Sequence, residues 1–506
     1  MNRHVPRLWP SLASAGFFVL ALFAPAADAL AEQAKADPAP PSAGAPTPAR
    51  FAQLQRFRLP GGEEDLWRGK LRVYENRRTR TGRTIDLNVV VVPALDQTDV
   101  REPFFELAGG PGIAATGMAE AYANDLKDYR RHRDVVLVDQ RGTGESNPLA
   151  AAHDPSPAAY LREMYPVDYV QTLRRQLAEK ADLTQYTTAI AMDDLDDVRA
   201  WLGYGKINLF GFSYGSRAAM VYLRQHPEHV RSVILMGVSP TFQHLPLYHA
   251  RDGQRALNLL LDECAQDPKV AQAFPKIRDD LAQLRANLGR EPVHARYVSA
   301  DGLTDVMVEI QRDILMETLR TLLYTVDGGR RIPLIIHEAA AGNFAPYLRA
   351  TIPADRSKPD FIADGLYLCV TAAEDTPFID PGMAEKLNAG NVFGNYRVFQ
   401  QARACRLWPR GELPAGYGDP VKSDVPVLIV SGLMDPVTPP EWAEEVARHL
   451  PNSRHVILRH GAHLPFALAH MEKLDALFLE FLATADARHL DTSGLEQMLP
   501  PPFVVQ

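Results

Sequence analysis

The sequence predicts an α/β protein: a mostly parallel central sheet with helices on both faces, into which a mainly helical cap is inserted. Three observations carry this. Short β-branched runs alternate with amphipathic helical stretches over residues 51–238 and resume after residue 424. Between 239 and 423 helical periodicity dominates and strand signals are few. Finally, the run Gly211-Phe212-Ser213-Tyr214-Gly215 follows a strand signal and precedes a helical one.

Taken in order, residues 1–31 are expected to be a signal peptide. Arg3 and Arg7 give a positive start, Leu12 to Phe23 an apolar stretch, and Ala27-Asp28-Ala29 or Ala29-Leu30-Ala31 a cleavage site. The apolar run falls short of the ~20 residues a spanning helix needs, so the expectation is export, periplasmic or secreted, without stable membrane insertion after cleavage. Residues 32–50 form a Pro/Ala-rich linker with almost no large apolar side chain to bury.

The first part of the core, 51–238, holds strand signals at Leu87–Val92 (an early hairpin after the Thr81-Gly82 turn), Pro103–Leu107, Asp134–Val138, Lys206–Phe210 and Val230–Met236. Asp193 to Leu202 carries Leu195, Val198 and Leu202 on one helical face and acids on the other. The cap, 239–423, includes helical stretches at Ala256–Cys264 and Ile310–Tyr324. The second part of the core, 424–485, supplies strands at Val425–Val430 and His455–Leu458, and 486–506 form a C-terminal tail. A bare core of this type needs roughly 250 residues. The surplus therefore reads as a cap over the carboxyl ends of the strands, where open α/β sheets bind ligands.

The formal net charge of −8 provides no basic footprint for nucleic acid. Of the three cysteines, Cys264, Cys369 and Cys405, at least one must stay unpaired within the chain, and the absence of a close Cys/His cluster argues against a metal site.

Ser213 is the candidate nucleophile. G-x-S-x-G between a strand and a helix is a sharp turn that lifts a hydroxyl above the sheet, and it belongs to the α/β-hydrolase fold. The oxyanion of an acyl-transfer intermediate needs backbone donors. Those expected are the N–H of Tyr214 and one from the loop Ala108-Gly109-Gly110-Pro111-Gly112, where Pro111 has none and Gly110 is favoured. In this fold an acid and then a histidine follow the serine. Asp435 lies just past the strand Val425–Val430. After the next strand His460 and His463 compete as the base, and His463, farther into the loop, is favoured. This chemistry calls for no metal and no organic cofactor. A serine at the elbow disfavours dehalogenase and epoxide-hydrolase chemistry, which use an aspartate there.

The runs Ala108–Gly112, Asp139-Gln140-Arg141-Gly142-Thr143-Gly144-Glu145-Ser146, Gly211–Ser216 and Asp435-Pro436-Val437-Thr438-Pro439-Pro440-Glu441-Trp442 resemble the prolyl aminopeptidase and tripeptidyl aminopeptidase group of serine peptidases, the last of them its tripeptidyl branch in particular. The resemblance implies cleavage of short peptides from a free N-terminus, with the triad on Ser213, Asp435 and His463. It implies a cap-borne acid holding the substrate ammonium, for which Glu374 in Cys369–Asp375 is the candidate. The same residues also suit a plain turn or helix start. It further implies a cap disulfide between Cys369 and Cys405, and a structural role for Asp139 and Arg141, which are expected to pair. Ala108 departs from the histidine that many members carry, and Cys264 lacks the group's nearby partner, so a buried free thiol is expected there.

The expected function is thus an exported serine hydrolase acting on a small peptide. The alternatives are a carboxylic ester or lactone hydrolase with the same triad, and a non-catalytic binding protein that keeps the fold.

Overall fold

The structure is a computed structural model that describes residues 48–62, 64–289, 291–357 and 361–506. The expected signal peptide, and the linker up to residue 47, lie outside the described residues. The last linker residues belong to the fold: Ala49–Phe51 make a 3₁₀ turn, and Arg50 pairs with the buried Asp134 at 2.7 Å.

Among the described residues nine strands form one sheet. The first three are Gln55–Phe57 (β1), Leu66–Tyr74 (β2) and Thr84–Val92 (β3), joined as antiparallel hairpins at one edge. Arg101–Leu107 (β4), Arg133–Val138 (β5), Ile207–Phe212 (β6) and Val230–Met236 (β7) follow. A separate hairpin, Val293–Val298 (β8) with Asp305–Ile310 (β9), sits within the cap region. Val427–Gly432 (β10) and Ser453–Leu458 (β11) complete the sheet, in the order β1-β2-β3-β5-β4-β6-β7-β10-β11, parallel from β5 onward.

A parallel sheet is stable when covered on both faces, and the strand residues divide accordingly. In β5, Val136 and Val138 enter the core on one face while Val135 and Leu137 enter the core on the other. The first core is filled by Thr188–Trp201 (α1), Tyr214–Gln225 (α2) and Pro440–Ala447 (α7); the second by Glu472–Thr484 (α8), through Leu474, Leu477, Phe478 and Phe481. The register pairs Leu107 with Gly211, so the glycine loop after β4 emerges beside the turn after β6.

Between β7 and β10 the chain builds a third core of its own. Four helices of this stretch bear on the site: His249–Gln266 (α3) and Arg312–Leu322 (α4), which belong to the third core, and Asp364–Glu374 (α5) and Tyr396–Arg406 (α6), whose Leu366, Leu368, Ala404 and Cys405 join the first. The C-terminal tail returns to this layer, where Val504 N–H donates to Arg330 O and the Arg330 guanidinium lies over Phe503.

Local departures from the sequence expectations have physical causes. Strand β2 is interrupted by Arg68-Gly69-Lys70, which breaks the alternation that would mark it as a strand. The cap hairpin β8–β9 is short and mostly solvent-facing, and Ile310 ends β9 instead of opening the following helix.

Glu106, on the β4 face shared with Phe104, accepts a hydrogen bond from Tyr122 and is otherwise enclosed by apolar side chains. Burial pushes its carboxyl up to about 7. Because the folded chain keeps a proton that the unfolded chain releases near 4.5, this group favours folding most at acid pH, and that contribution is lost as pH rises toward 7. Glu106→Gln should remove a pH-dependent loss of about 3 kcal/mol, flattening urea-melt stability between about pH 5 and pH 8 relative to wild type. An unchanged pH profile would show that Glu106 ionises normally.

Candidate active site

Ser213 sits at φ 57°, ψ −123°, a left-handed backbone that a serine adopts only when its surroundings impose it. The surroundings are two backbone crossings. A Cβ on Gly211 would fall 2.3 Å from Gly215 O, and one on Gly215 would fall 1.9 Å from Leu107 O. Only glycine fits at either place. The Ser213 N–H donates to Met236 O at 2.9 Å, tying the turn to the end of β7.

The hydroxyl lies 2.9 Å from Nε2 of His463, whose Nδ1 lies 2.7 Å from Oδ2 of Asp435. Asp435 has no exposed surface and His463 only 4%. The Asp435 carboxylate also accepts from the backbone N–H groups of Val437 and Thr438, both at 2.8 Å, and from the Thr438 hydroxyl at 2.7 Å. Burial works against its ionisation, but His463 and these hydrogen bonds outweigh burial and hold the carboxyl below its usual range. The histidine ring packs between Phe212 and Tyr324, with centroids 5.0 and 5.3 Å away. Its loop is held from the cap side, where Leu464 N–H donates to Tyr324 O at 2.7 Å. His460, the competing histidine, turns to Glu263 of α3.

These residues open on a cavity of about 410 Å³, a volume suited to a small ligand. Tyr214, at the first turn of α2, and Gly110 both line it. So does Gly109, where an added Cβ would be 3.4 Å from the Ser213 Cβ. Part of the wall comes from a segment the sequence placed in the core, through Tyr160, Met164 and Tyr169 before α1.

Three expectations are corrected. Glu374 does not reach the cavity. It is fully buried, its Oε1 accepts from Thr188 N–H at 2.7 Å, and its Oε2 accepts from the Thr188 hydroxyl at 2.9 Å and from the Tyr417 hydroxyl. A carboxylate so engaged, with Arg217 3.6 Å away, has no edge left for a substrate ammonium. Its neighbour Asp375 does line the cavity, paired with Arg217 at 3.0 Å.

Cys369 and Cys405 are free buried thiols, not a disulfide. Their sulfurs have separate partners, Trp408 Nε1 at 3.3 Å from Cys369 and the Thr371 hydroxyl at 3.5 Å from Cys405. Burial raises both thiols above their ordinary range, to about 12 and about 11. Cys264 is also buried and free.

Asp139 and Arg141, finally, do not pair with each other. Asp139 gathers Asn88, the Thr116 N–H and hydroxyl, and the Glu145 N–H. Arg141 grips Asp194 of α1 through two bonds of 2.6 and 2.9 Å and donates to Glu75 O and Gln185 O. Each thus ties a different part of the sheet to the loops beside the serine.

The strand order, the elbow after β6 and the two loops after β10 and β11 agree with a match to the family model of the α/β hydrolase fold over residues 107–287. The chain has the α/β-hydrolase fold. A second family model, described as TAP-like protein, matches residues 390–494, the stretch of this hydrolase fold that contains Asp435 and His463. The proline iminopeptidase of Neisseria gonorrhoeae is 31% identical over 136 residues, which are 27% of this chain and 32% of that protein. The serine protease Hip1 of Mycobacterium tuberculosis is 29% identical over 250 residues, 45% of this chain and 47% of that protein. The matches thus span about a third to a half of these relatives' lengths. Among solved structures, the proline iminopeptidase of Mycobacterium smegmatis covers 83% of this chain and 99% of its own at 17% identity, with a TM-score of 0.37.

The contact beneath the elbow is open to test. Gly215→Ala should cost at least ~1–3 kcal/mol of stability through overpacking against Leu107, and it should slow labelling of Ser213 by a fluorophosphonate probe. Wild-type melting and labelling would mean that β4 yields easily.

Proposed function

We propose that this chain is a serine hydrolase of the aminopeptidase type, which cleaves short peptides from a free N-terminus through an acyl-enzyme. The observation that carries the reading is the hydrogen-bonded series Ser213–His463–Asp435 at the wall of a closed-over cavity. In it His463 takes the Ser213 proton as the hydroxyl attacks the scissile carbonyl. Asp435 fixes the imidazole by accepting from Nδ1–H and stabilises the imidazolium that forms. The oxyanion is received by the N–H of Tyr214 and by the glycine loop, where Gly110 is the assigned donor. His463 then protonates the leaving amine, and water repeats the sequence to release the acyl group. The peptide reading draws on the relatives named above and on the TAP-like segment.

With Glu374 enclosed, the peptide reading leaves the ammonium to the groups of the cavity wall itself. The same correction favours a second reading, in which the triad serves carboxylic esters or lactones that need no amine anchor.

The proposal extends to export. Residues 1–31 are assigned as its signal, and no helix among the described residues is long and apolar enough to cross a membrane. The assigned division is a core of 51–238 and 424–485 around a cap of 239–423.

Ser213→Ala should abolish fluorophosphonate labelling, and Asp435→Asn should lower kcat by roughly 10³–10⁴-fold while leaving the fold intact. A panel of aminoacyl, tripeptidyl and N-blocked chromogenic substrates separates the two readings. Faster turnover of free-amine peptides supports the aminopeptidase; equal turnover of blocked peptides and simple esters rejects it.

A further inference from the structure

Three helices of the cap converge on the cavity and each brings a polar group to it. Helix α4 contributes Glu317 and Arg320, α6 contributes Arg397, and His249 opens α3. Arg320 holds the Glu317 carboxylate through two bonds of 2.9 and 2.6 Å and donates its remaining terminal nitrogen to the Tyr324 hydroxyl at 3.2 Å. Since the Tyr324 ring packs on His463, this cluster stands one side chain away from the triad.

Arg397 is served differently. Its side chain is 14% exposed, and its hydrogen bonds go to neutral groups, the Tyr367 hydroxyl at 2.7 Å and the Met164 sulfur. The Glu317 carboxylate it faces is 3.9 Å away and already taken by Arg320. Its Nε has no hydrogen-bond partner among the described residues. Both ring nitrogens of His249, a residue 4% exposed, likewise have none. Burial drives the His249 imidazole well below its ordinary range, and the neighbouring Arg320 and Arg397 drive it further, so at neutral pH the ring is uncharged and offers one N–H.

The other acids of the cavity wall are engaged elsewhere: Glu163 with Arg403, Asp154 with Arg162, Asp375 with Arg217, Asp364 with the Tyr169 hydroxyl and Asp355 with Ser357. The cluster therefore holds two guanidinium charges against one carboxylate. A desolvated cation with an open N–H edge gains most from a charge-assisted bond to an anion.

We infer that Arg397, Arg320 and His249 form a carboxylate-binding subsite of the cavity, and that the substrate presents a carboxylate to it. One excess positive charge matches one carboxylate, whereas a phosphate would bring close to two negative charges. The carboxylate comes either from the C-terminus of a short peptide or from an Asp or Glu side chain. This deepens the proposed function, since it takes the cavity beside Ser213 as the substrate site.

Binding can be measured by calorimetry on Ser213→Ala protein, which removes turnover. The probes are tri-alanine against its C-terminal amide, and Ala-Glu-Ala amide against Ala-Gln-Ala amide. In one of the two pairs the carboxylate form should bind roughly 10- to 100-fold tighter, the size expected for a hydrogen bond to a charged group. The first pair reports a C-terminal carboxylate and the second a side-chain one. Arg397→Gln in the same background should collapse that ratio toward one, and Arg397→Lys should restore part of it. The subsite is overturned if neither pair separates, or if the ratio survives Arg397→Gln. Should that variant fail to fold, the two pairs measured on Ser213→Ala protein still decide. Turnover of the same peptides by wild-type enzyme reports separately on the peptidase reading. Turnover without discrimination overturns the subsite alone, while discrimination without turnover supports the subsite and overturns the peptidase.

Discussion

Backbone packed to contact distance beneath Ser213 is the constraint on which the site depends. Gly215 lies against the carbonyl at the end of β4, and Gly211 lies against Gly215, so the turn after β6 cannot relax into an ordinary conformation. That enclosure holds the serine in the left-handed region and keeps its hydroxyl aimed away from the sheet. The parallel pairing of β4 with β6 brings the glycine loop alongside. A second close approach fixes the partners: a Cβ on Gly432, at the end of β10, would fall 2.2 Å from Ala462 O, so the loops bearing Asp435 and His463 lean directly on one another. The geometry at the strand ends is thus set by main chain, and the side chains of Ser213, His463 and Asp435 inherit it.

Around this frame each buried charge is met by a set of partners of its own. Asp435 is surrounded by donors and stays ionised. Asp194 is shared by Arg141 and Arg77, and Arg217 lies between Glu374 and Asp375. Among the described residues the Glu106 and Asp475 carboxylates accept from tyrosine hydroxyls, and burial raises both carboxyls, to about 7 and about 6. The contrast shows why a buried acid near an active site is not by that fact part of it: what matters is whether its lone pairs are already committed.

The core of the fold was legible because it is written in local pattern. Val230–Met236 needed no adjustment, and the other parallel strands differed by one or two residues at one or both ends, because fully buried parallel strands are continuous apolar runs with little to mark their ends. Ser213, Asp435 and His463 could be found from loop position after a strand, a feature of chain order. Glu374 and the two cap cysteines were assigned by likeness to a motif, and motif likeness does not specify which way a helix turns. Helix α5 aims Glu374 at α1 and away from the cavity, a choice made by packing with Thr188 and Tyr417. His249, Arg320 and Arg397 were invisible for a related reason. They lie on separate helices, more than 140 positions apart from first to last, and no spacing rule joins them. A histidine opening an amphipathic helix was the one available hint.

The bond from Leu464 to the Tyr324 carbonyl, with the short parallel bridge between Thr325 and Leu464, stitches the cap to the loop that carries His463. A cap fastened at that point cannot swing clear as one piece without dragging the imidazole off its serine. The seam beside the histidine is therefore a point at which cap and histidine loop must move together.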